Sequence, residues 1–123
     1  MTSDATRVFV YGTLMPEEAR WPVLAPYVTR WERATARGQL WDSGRGYPAV
    51  RFEDGAGVVP GFVVTLDAAR AADVIAALDA MEGEGVLYRR VEVRTSAGEA
   101  TSYEWLGSTD GLVPLPGGWP PTA

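Results

Sequence analysis

Two features of this sequence have the residue types and positions to support chemistry: Glu82, and the segment Tyr-Gly-Thr-Leu at residues 11–14. The chain has no His, Cys or Lys. This excludes a Ser–His–Asp triad, thiolate catalysis, cysteine- or histidine-rich zinc sites, Schiff-base chemistry and a phosphate-loop lysine. If the protein is an enzyme, a carboxylate, a tyrosine or a carboxylate-bound metal must do the work, and acid–base catalysis by one tuned carboxyl group is the simplest option.

Glu82 lies at the end of the one strongly predicted helix, residues 68–82. At about 100° per residue, it falls on the apolar stripe of that helix. The stripe consists of Ala71, Val74, Ile75, Leu78 and Met81. Desolvation and the negative end of the helix dipole both disfavour a carboxylate, so the pKa of Glu82 should be raised towards a range useful for catalysis. A frayed, solvent-reaching side chain, or a buried acid paired with Arg89 or Arg90, would give the same pattern.

Residues 11–14 form a segment that we call the cradle loop. It follows the apolar run Val-Phe-Val at residues 8–10. Gly12 would let backbone N–H groups turn outward and bind an anion, and Thr13 adds a hydroxyl. An ordinary turn after a strand has the same composition. A metal site built on Asp79, Glu82 and Glu84 is a weaker alternative, because Asp79 and Glu84 diverge from Glu82 on the helical wheel. We therefore expect no metal.

The remaining pattern predicts the elements that position these residues. Strands are expected at residues 7–11, 30–40, 49–52 and 58–66, and a β-hairpin at 88–95 and 100–106 around a compact turn. Pro60 and Gly61 suggest an edge strand or a bulge. A short first helix should begin at Pro16 and be interrupted by Pro22 and Pro26, and Asp67 should cap the helix that ends at Gly83. The predicted loops are residues 41–48, a turn at 53–57 and an irregular tail from residue 107.

The composition is that of a compact soluble protein. With 123 residues, of which 46% are hydrophobic, we expect one domain over residues 1–123, with a core at about 7–106 and a tail at 107–123. The net charge of −5 and scattered arginines argue against nucleic acid. No membrane segment or apolar leader is evident, so we expect a cytoplasmic protein. We expect it to be a monomer or a weak homodimer. Its five tryptophans either pack in the core or mark an interface, and an interface would fit the alternative of a non-catalytic ligand-binding or protein-interaction module.

Taken together, four segments resemble the γ-glutamylcyclotransferase-like (AIG2-like) family, in particular its γ-glutamylamine cyclotransferase branch. They are VFVYGTLMP, GQLWDSGRGYPAV, VPGFVVTL and LDAMEGEGVLYRRVEV, in this order along the chain. The most specific parts are YGTL and the LDxxEG…YRR segment, whose joint occurrence at this spacing is a stronger signal than either alone. The resemblance covers nearly the whole of the expected core.

The resemblance implies an α+β fold, a mixed β-barrel flanked by a few helices, with a cavity at the cradle loop. It implies conversion of a γ-glutamyl amine or peptide into 5-oxoproline and a free amine, without a cofactor. Tyr11, Gly12, Thr13 and Leu14 would then bind the substrate's α-carboxylate end and Glu82 would be the catalytic acid/base. Tyr88 would either line the pocket or pack in the core.

The sequence departs from the family pattern at two places. After the cradle loop it reads MPEEARW, where many relatives have a more basic or polar stretch, so the outer wall of the pocket is left undefined. Near the end, Gly118 replaces the acid of the family's closing Pro-Gly-Asp-Trp.

Overall fold

The computed structural model describes residues 6–53, 57–83 and 85–121 of the chain. The strands are β1 (Arg7–Val10), β2 (Val28–Arg37), β3 (Gln39–Asp42), β4 (Pro48–Arg51), β5 (Val58–Leu66), β6 (Tyr88–Thr95), β7 (Gly98–Trp105) and β8 (Val113–Pro114). The helices are α1 (Trp21–Leu24), a 3-10 turn (Ala25–Tyr27) and α2 (Ala71–Glu82). No helix in these ranges is long and apolar enough to span a membrane.

Five strands close into a barrel in the order β1, β5, β2, β6, β7. The sheet is mixed because β7 meets β1 in parallel, whereas β1–β5, β5–β2, β2–β6 and β6–β7 are antiparallel. The other three strands form a small sheet in the order β4, β3, β8. The expected α+β fold, a mixed barrel with flanking helices, is confirmed.

Side chains alternate between the two faces of the barrel wall, and this alternation creates two apolar clusters. Phe9 and Tyr11 of the first strand and its end point into the barrel interior, where they pack with Val59, Val63 and Val93. Val8 and Val10 face outward into a second cluster, between the wall and α2. The residues that α2 buries there are Ala71, Val74 and Leu78. The apolar stripe predicted from the sequence is therefore the face that holds α2 on the barrel.

The segment after the cradle loop differs from the prediction. Instead of a helix beginning at Pro16, residues 13–20 form successive turns, and Glu17 has a positive φ of 71°, which ends any right-handed helix at that point. Helix α1 begins at Trp21, and Pro22 lies in its first turn. The prediction that Pro22 interrupts a helix is wrong, because a proline in the first turn has no intrahelical N–H bond to lose.

Helix α2 begins later than predicted but ends as predicted. Asp67 does not cap it: the Asp67 carboxylate accepts the N–H of Ala69 at 3.0 Å, and this closes a turn before the helix. At the other end, Gly83 has φ 62° and ψ 51°, the left-handed conformation in which glycine terminates helices. Glu82 is therefore the last helical residue.

The middle strands are also arranged differently. The predicted strand at residues 30–40 is divided at Gly38, where an added Cβ would lie 2.3 Å from the Arg51 carbonyl oxygen. Strands β3 and β4 extend into the predicted loop at 41–48. Strand β5 is not bulged at Pro60, and it is an edge only locally, since β2 flanks its whole length whereas β1 flanks it at Phe62–Thr65. Pro60 is tolerated because β1 stops at the Val10–Phe62 pair, so its missing N–H faces no strand on that side.

The remaining predictions concern the hairpin, the tail and the tryptophans. The hairpin is confirmed as β6 and β7, although β7 begins at Gly98 rather than Ala100. The tail is less irregular than predicted, because β8 pairs with β3. Of the tryptophans, Trp31 is 52% exposed and the other four are buried or packed against the clusters. Residues 54–56 of the predicted 53–57 turn lie outside the described residues.

Candidate active site

A cavity with about 420 Å³ of empty space, counted out to its mouth, lies where the C-terminal ends of β1 and α2 meet. Its walls are the outer face of β1, the cradle loop, the end of β7 and the start of β4. The titratable side chains that line the cavity are Tyr11, Arg20, Tyr47, Glu82, Tyr88 and Tyr103.

The cradle loop forms one wall of this cavity. Gly12 is required by a close approach, since an added Cβ would lie 2.6 Å from Cγ of Pro48. The loop is closed by its own carbonyls: Gly12 O accepts the N–H of Met15 at 3.0 Å and Thr13 O accepts that of Arg20 at 2.7 Å. Within the described ranges, the N–H groups of Gly12, Thr13 and Leu14 have no protein acceptor. The loop can therefore offer backbone donors to a ligand.

Glu82 lines the same cavity as the cradle loop. Burial raises the pKa of its carboxyl group, and the positive charge of Arg20 partly offsets this. Neither cation considered at the sequence level is its partner, because Arg89 pairs with Glu104 and Arg90 with Asp79, both at 2.8 Å or less. No described residue hydrogen-bonds or ion-pairs with Glu82. Its carboxyl group is thus both partly desolvated and available to a ligand.

Two tyrosines of the cavity are held by backbone carbonyls. The Tyr88 hydroxyl donates to Pro48 O at 2.6 Å, and the Tyr11 hydroxyl donates to Tyr103 O at 2.7 Å. Burial raises the pKa of both phenols, so both stay protonated. Tyr88 is 4% exposed and packs on Tyr47 and Trp105, so it is at once a core residue and part of the cavity wall.

A chain of hydrogen bonds that the sequence pattern did not reveal fixes the end of α2. The Tyr103 hydroxyl donates to Asp79 Oδ1 at 2.6 Å, and Asp79 Oδ2 accepts Arg90 at 2.6 Å. Asp79 precedes Glu82 by less than one helical turn, so these bonds tie the segment that carries Glu82 to β6 and β7. Helical periodicity placed Asp79 at the margin of the apolar stripe, but it could not predict that Tyr103 and Arg90 bind the Asp79 carboxylate.

These contacts bear on Asp79, one of the three acids of the metal alternative. Both oxygens of Asp79 are engaged by Tyr103 and Arg90, and Glu84 lies outside the described residues. Within those residues no group of three acids is placed to hold a metal ion.

Arg20 and Tyr47 are further cavity residues that sequence reasoning missed. Arg20 is the one with a charge. It belongs to the stretch MPEEARW, which had left the outer wall of the pocket undefined. The only signal in the sequence was that Arg20 is the first basic residue after the cradle loop. This position does not tell whether the chain turns Arg20 towards the cavity or away from it. Its N–H bond to Thr13 O brings it back to the cavity.

Replacing Glu82 by Gln should stabilise the folded chain at neutral pH. Because burial raises the pKa of Glu82 above its ordinary 4.5, the fold favours the protonated form and ionisation costs stability. That cost is absent at pH values well below 4.5, grows as the pH rises towards the raised pKa, and is constant above it. Thermal unfolding should show a higher melting temperature for Glu82→Gln than for the wild type at neutral pH, and this difference should close in acid.

The control for this experiment is Glu32→Gln, which removes an exposed acid from β2. We expect no pH-dependent gain from it. A gain by Glu82→Gln that is equally large in acid and at neutral pH would contradict the assignment of a raised pKa to Glu82.

Comparison with known proteins identifies the family of this chain. Residues 8–120 match the family model described as gamma-glutamyl cyclotransferase, AIG2-like. This is nearly the whole chain, so the protein belongs to that family, as the sequence motifs indicated. A search among curated proteins gave no significant match.

Solved structures show the same fold. YkqA from Bacillus subtilis is 26% identical with a TM-score of 0.66; the matched region covers 89% of this chain but 37% of YkqA. PH0828 from Pyrococcus horikoshii is 24% identical with a TM-score of 0.69, over 91% of this chain and 86% of that one. Kluyveromyces lactis allophanate hydrolase is 14% identical with a TM-score of 0.67, over 94% of this chain and 20% of the hydrolase. The latter two are evidence for the fold alone.

Proposed function

We propose that this protein is a γ-glutamyl cyclotransferase that converts a small γ-glutamyl amine into 5-oxoproline and a free amine. One observation carries the proposal: the unpartnered carboxyl group of Glu82 and the cradle loop line the same cavity. Membership of the family supports the reaction type. The cavity is small, which supports a small amine rather than a bulky conjugate as the leaving group.

The first task of the site is to fold the substrate back on itself. The nucleophile is the substrate's own α-amine, which must come within about 3–3.5 Å of the γ-carbonyl carbon. Backbone donors of Gly12, Thr13 and Leu14 would hold the α-carboxylate and so fix the end of the chain that carries the amine. Much of the catalysis would then come from positioning, because the attack is intramolecular.

The second task is to move one proton. The α-amine nitrogen bonds to the γ-carbonyl carbon, the bond from that carbon to the departing nitrogen breaks, and the attacking nitrogen loses a proton that the departing nitrogen gains. Glu82 would take this proton as a carboxylate and return it as a carboxylic acid. All atoms of the substrate reappear in 5-oxoproline and the amine, so the reaction requires neither water nor an electron carrier.

The tyrosines would keep this geometry without exchanging the proton. Because burial raises the pKa of Tyr11 and Tyr88, their phenols remain hydrogen-bond donors at neutral pH. Both hydroxyls are engaged by backbone carbonyls that border the cavity. Backbone N–H groups of the cradle loop remain as donors that could stabilise the developing oxyanion, beside the side chains of Arg20, Thr13 and Tyr47.

The proposal is tested by incubating the protein with a panel of γ-glutamyl amines and measuring 5-oxoproline and amine together. We expect the two products in equal amounts, unchanged by a chelator. The matched control is the same substrate with an acetylated α-amine, which cannot cyclise. Release of amine from that control, or glutamate in place of 5-oxoproline, would indicate a hydrolase. Binding of the amines without product would favour a non-catalytic ligand-binding module on the same fold.

A further inference from the structure

Arg20 is the only positively charged side chain among the residues that line the cavity. The other titratable groups there are Glu82 and four tyrosines. Burial raises the pKa values of Tyr11, Tyr88 and Tyr103, so these three carry no charge at neutral pH. An anionic part of a ligand in this cavity therefore has one cationic side chain available to it.

Unlike several other arginines of the chain, Arg20 is not used to hold the fold together. Arg51 donates to the carbonyls of Trp105 and Gly107, and Arg89 and Arg90 are in ion pairs. In the described ranges, the Arg20 guanidinium makes no hydrogen bond and no ion pair. A half-buried arginine without a partner is uncommon, because its charge is costly to desolvate unless something compensates it.

The backbone of Arg20 is nevertheless firmly placed beside the cradle loop. Its N–H donates to Thr13 O at 2.7 Å, and its carbonyl accepts the N–H of Val23 at 3.0 Å, in the first turn of α1. The side chain thus projects from a backbone that is bonded to the same loop whose N–H groups are free for a ligand. The cation and the free donors belong to one wall of the cavity.

We infer that Arg20 binds the α-carboxylate of the γ-glutamyl group together with the cradle loop, and thereby restricts the substrates to those with a free α-carboxylate. The planar guanidinium can donate two parallel hydrogen bonds to a carboxylate, a geometry that backbone N–H groups can complete from another side. This inference rests on the proposed function for the identity of the substrate. The binding site it assigns can be tested without any turnover.

The main competing role for Arg20 is to adjust the acidity of Glu82. The charged and titratable groups around Glu82 are Arg20, Tyr11, Tyr88 and Tyr103, and of these Arg20 is the one that lowers its pKa. In that role the loss of Arg20 would shift the pH dependence of the rate upward and leave KM unchanged. Carboxylate binding instead predicts a rise in KM that depends on the substrate's carboxylate.

The first experiment compares the binding of 5-oxoproline and of 2-pyrrolidinone, the same ring without its carboxylate, by calorimetry. The wild type should bind 5-oxoproline more tightly, and Arg20→Gln should lose about 10- to 100-fold in affinity for it while keeping its affinity for 2-pyrrolidinone. Arg20→Lys should recover part of the lost affinity, because lysine keeps the positive charge but cannot donate two parallel hydrogen bonds to a carboxylate. The control is Arg30→Gln, an exposed arginine of β2, and thermal unfolding checks that each variant is folded.

The second experiment repeats the comparison with turnover, using a γ-glutamyl amine and the corresponding 4-aminobutyryl amine, which lacks the α-carboxylate. Arg20→Gln should raise KM for the γ-glutamyl amine by about 10- to 100-fold and should change KM for the 4-aminobutyryl amine little. If the chain shows no turnover but Arg20→Gln abolishes the preference for 5-oxoproline, the proposed function fails and the carboxylate site stands. A wild type without this preference, a variant that retains it, or an altered pH profile at constant KM would overturn the inference.

Discussion

Replacing Glu82 by Gln should reduce the release of 5-oxoproline from a γ-glutamyl amine by at least ~10²-fold. Gln keeps the shape and the hydrogen-bonding capacity of the side chain but cannot take up and return a proton. Since Glu82 makes no hydrogen bond or ion pair with any described residue, the substitution breaks no protein contact. The loss should therefore appear in kcat rather than in folding.

The pH dependence gives a second readout of the same substitution. In the wild type kcat/KM should rise with pH through the raised pKa of Glu82, because the carboxylate is the base. The residual activity of Glu82→Gln should lack this rise, while the exposed-acid control Glu32→Gln keeps it. A Glu82→Gln variant that turns over at the wild-type rate would remove Glu82 from the mechanism.

Replacing Gly61 by Ala should destabilise the fold by about 3 kcal/mol, the upper end of the usual cost of adding a methyl group to a well-packed site. An added Cβ would lie 2.3 Å from the Val10 carbonyl oxygen and 2.9 Å from the Phe9 ring. The carbonyl belongs to β1, which cannot withdraw without loosening its pairing with β5. Because Val10 immediately precedes Tyr11, the displacement would also reach the cradle loop.

Urea unfolding of this variant measures the effect, with Gly117→Ala as the matched control. An added Cβ at Gly117 meets nothing within 4 Å, so the same Gly-to-Ala change there should alter stability by less than about 1 kcal/mol. If Gly61→Ala falls within that margin, the close approach of β1 to β5 at Val10 is not as tight as the structure indicates.

Much of the candidate site was predictable because its signals are local. The stripe position of Glu82 follows from helical periodicity, and the helix end follows from Gly83, whose left-handed conformation the structure confirms. The strand before the cradle loop is marked by β-branched and aromatic residues. The family motifs then supplied the expectation that Glu82 and the loop share one cavity, which they do.

The errors lie where tertiary contacts override local preference. Pro16 and the acids after it have the composition of a helix start, yet residues 13–20 form turns whose hydrogen bonds lead from the cradle loop to α1. Pro60 suggested an edge strand, yet β5 is an edge only beyond the Val10–Phe62 pair and lies between β1 and β2 over Phe62–Thr65. The first segment is fixed by hydrogen bonds of its turns, and the second by strands that are far away in the sequence. Sequence periodicity carries no information about such contacts.

By itself, then, the sequence determined which chemistry is possible and which helix carries the acid, because residue types and periodicity are properties of single segments. Only the tertiary structure decided how that acid is surrounded. Arg20 reaches the cavity through a turn bonded to Thr13, and Asp79 is fixed by Tyr103 and Arg90 from two other strands. Contacts of this kind depend on how the barrel closes, which brings distant residues together. It leaves the Glu82 carboxyl group partly desolvated and, among the described residues, without a hydrogen bond or an ion pair.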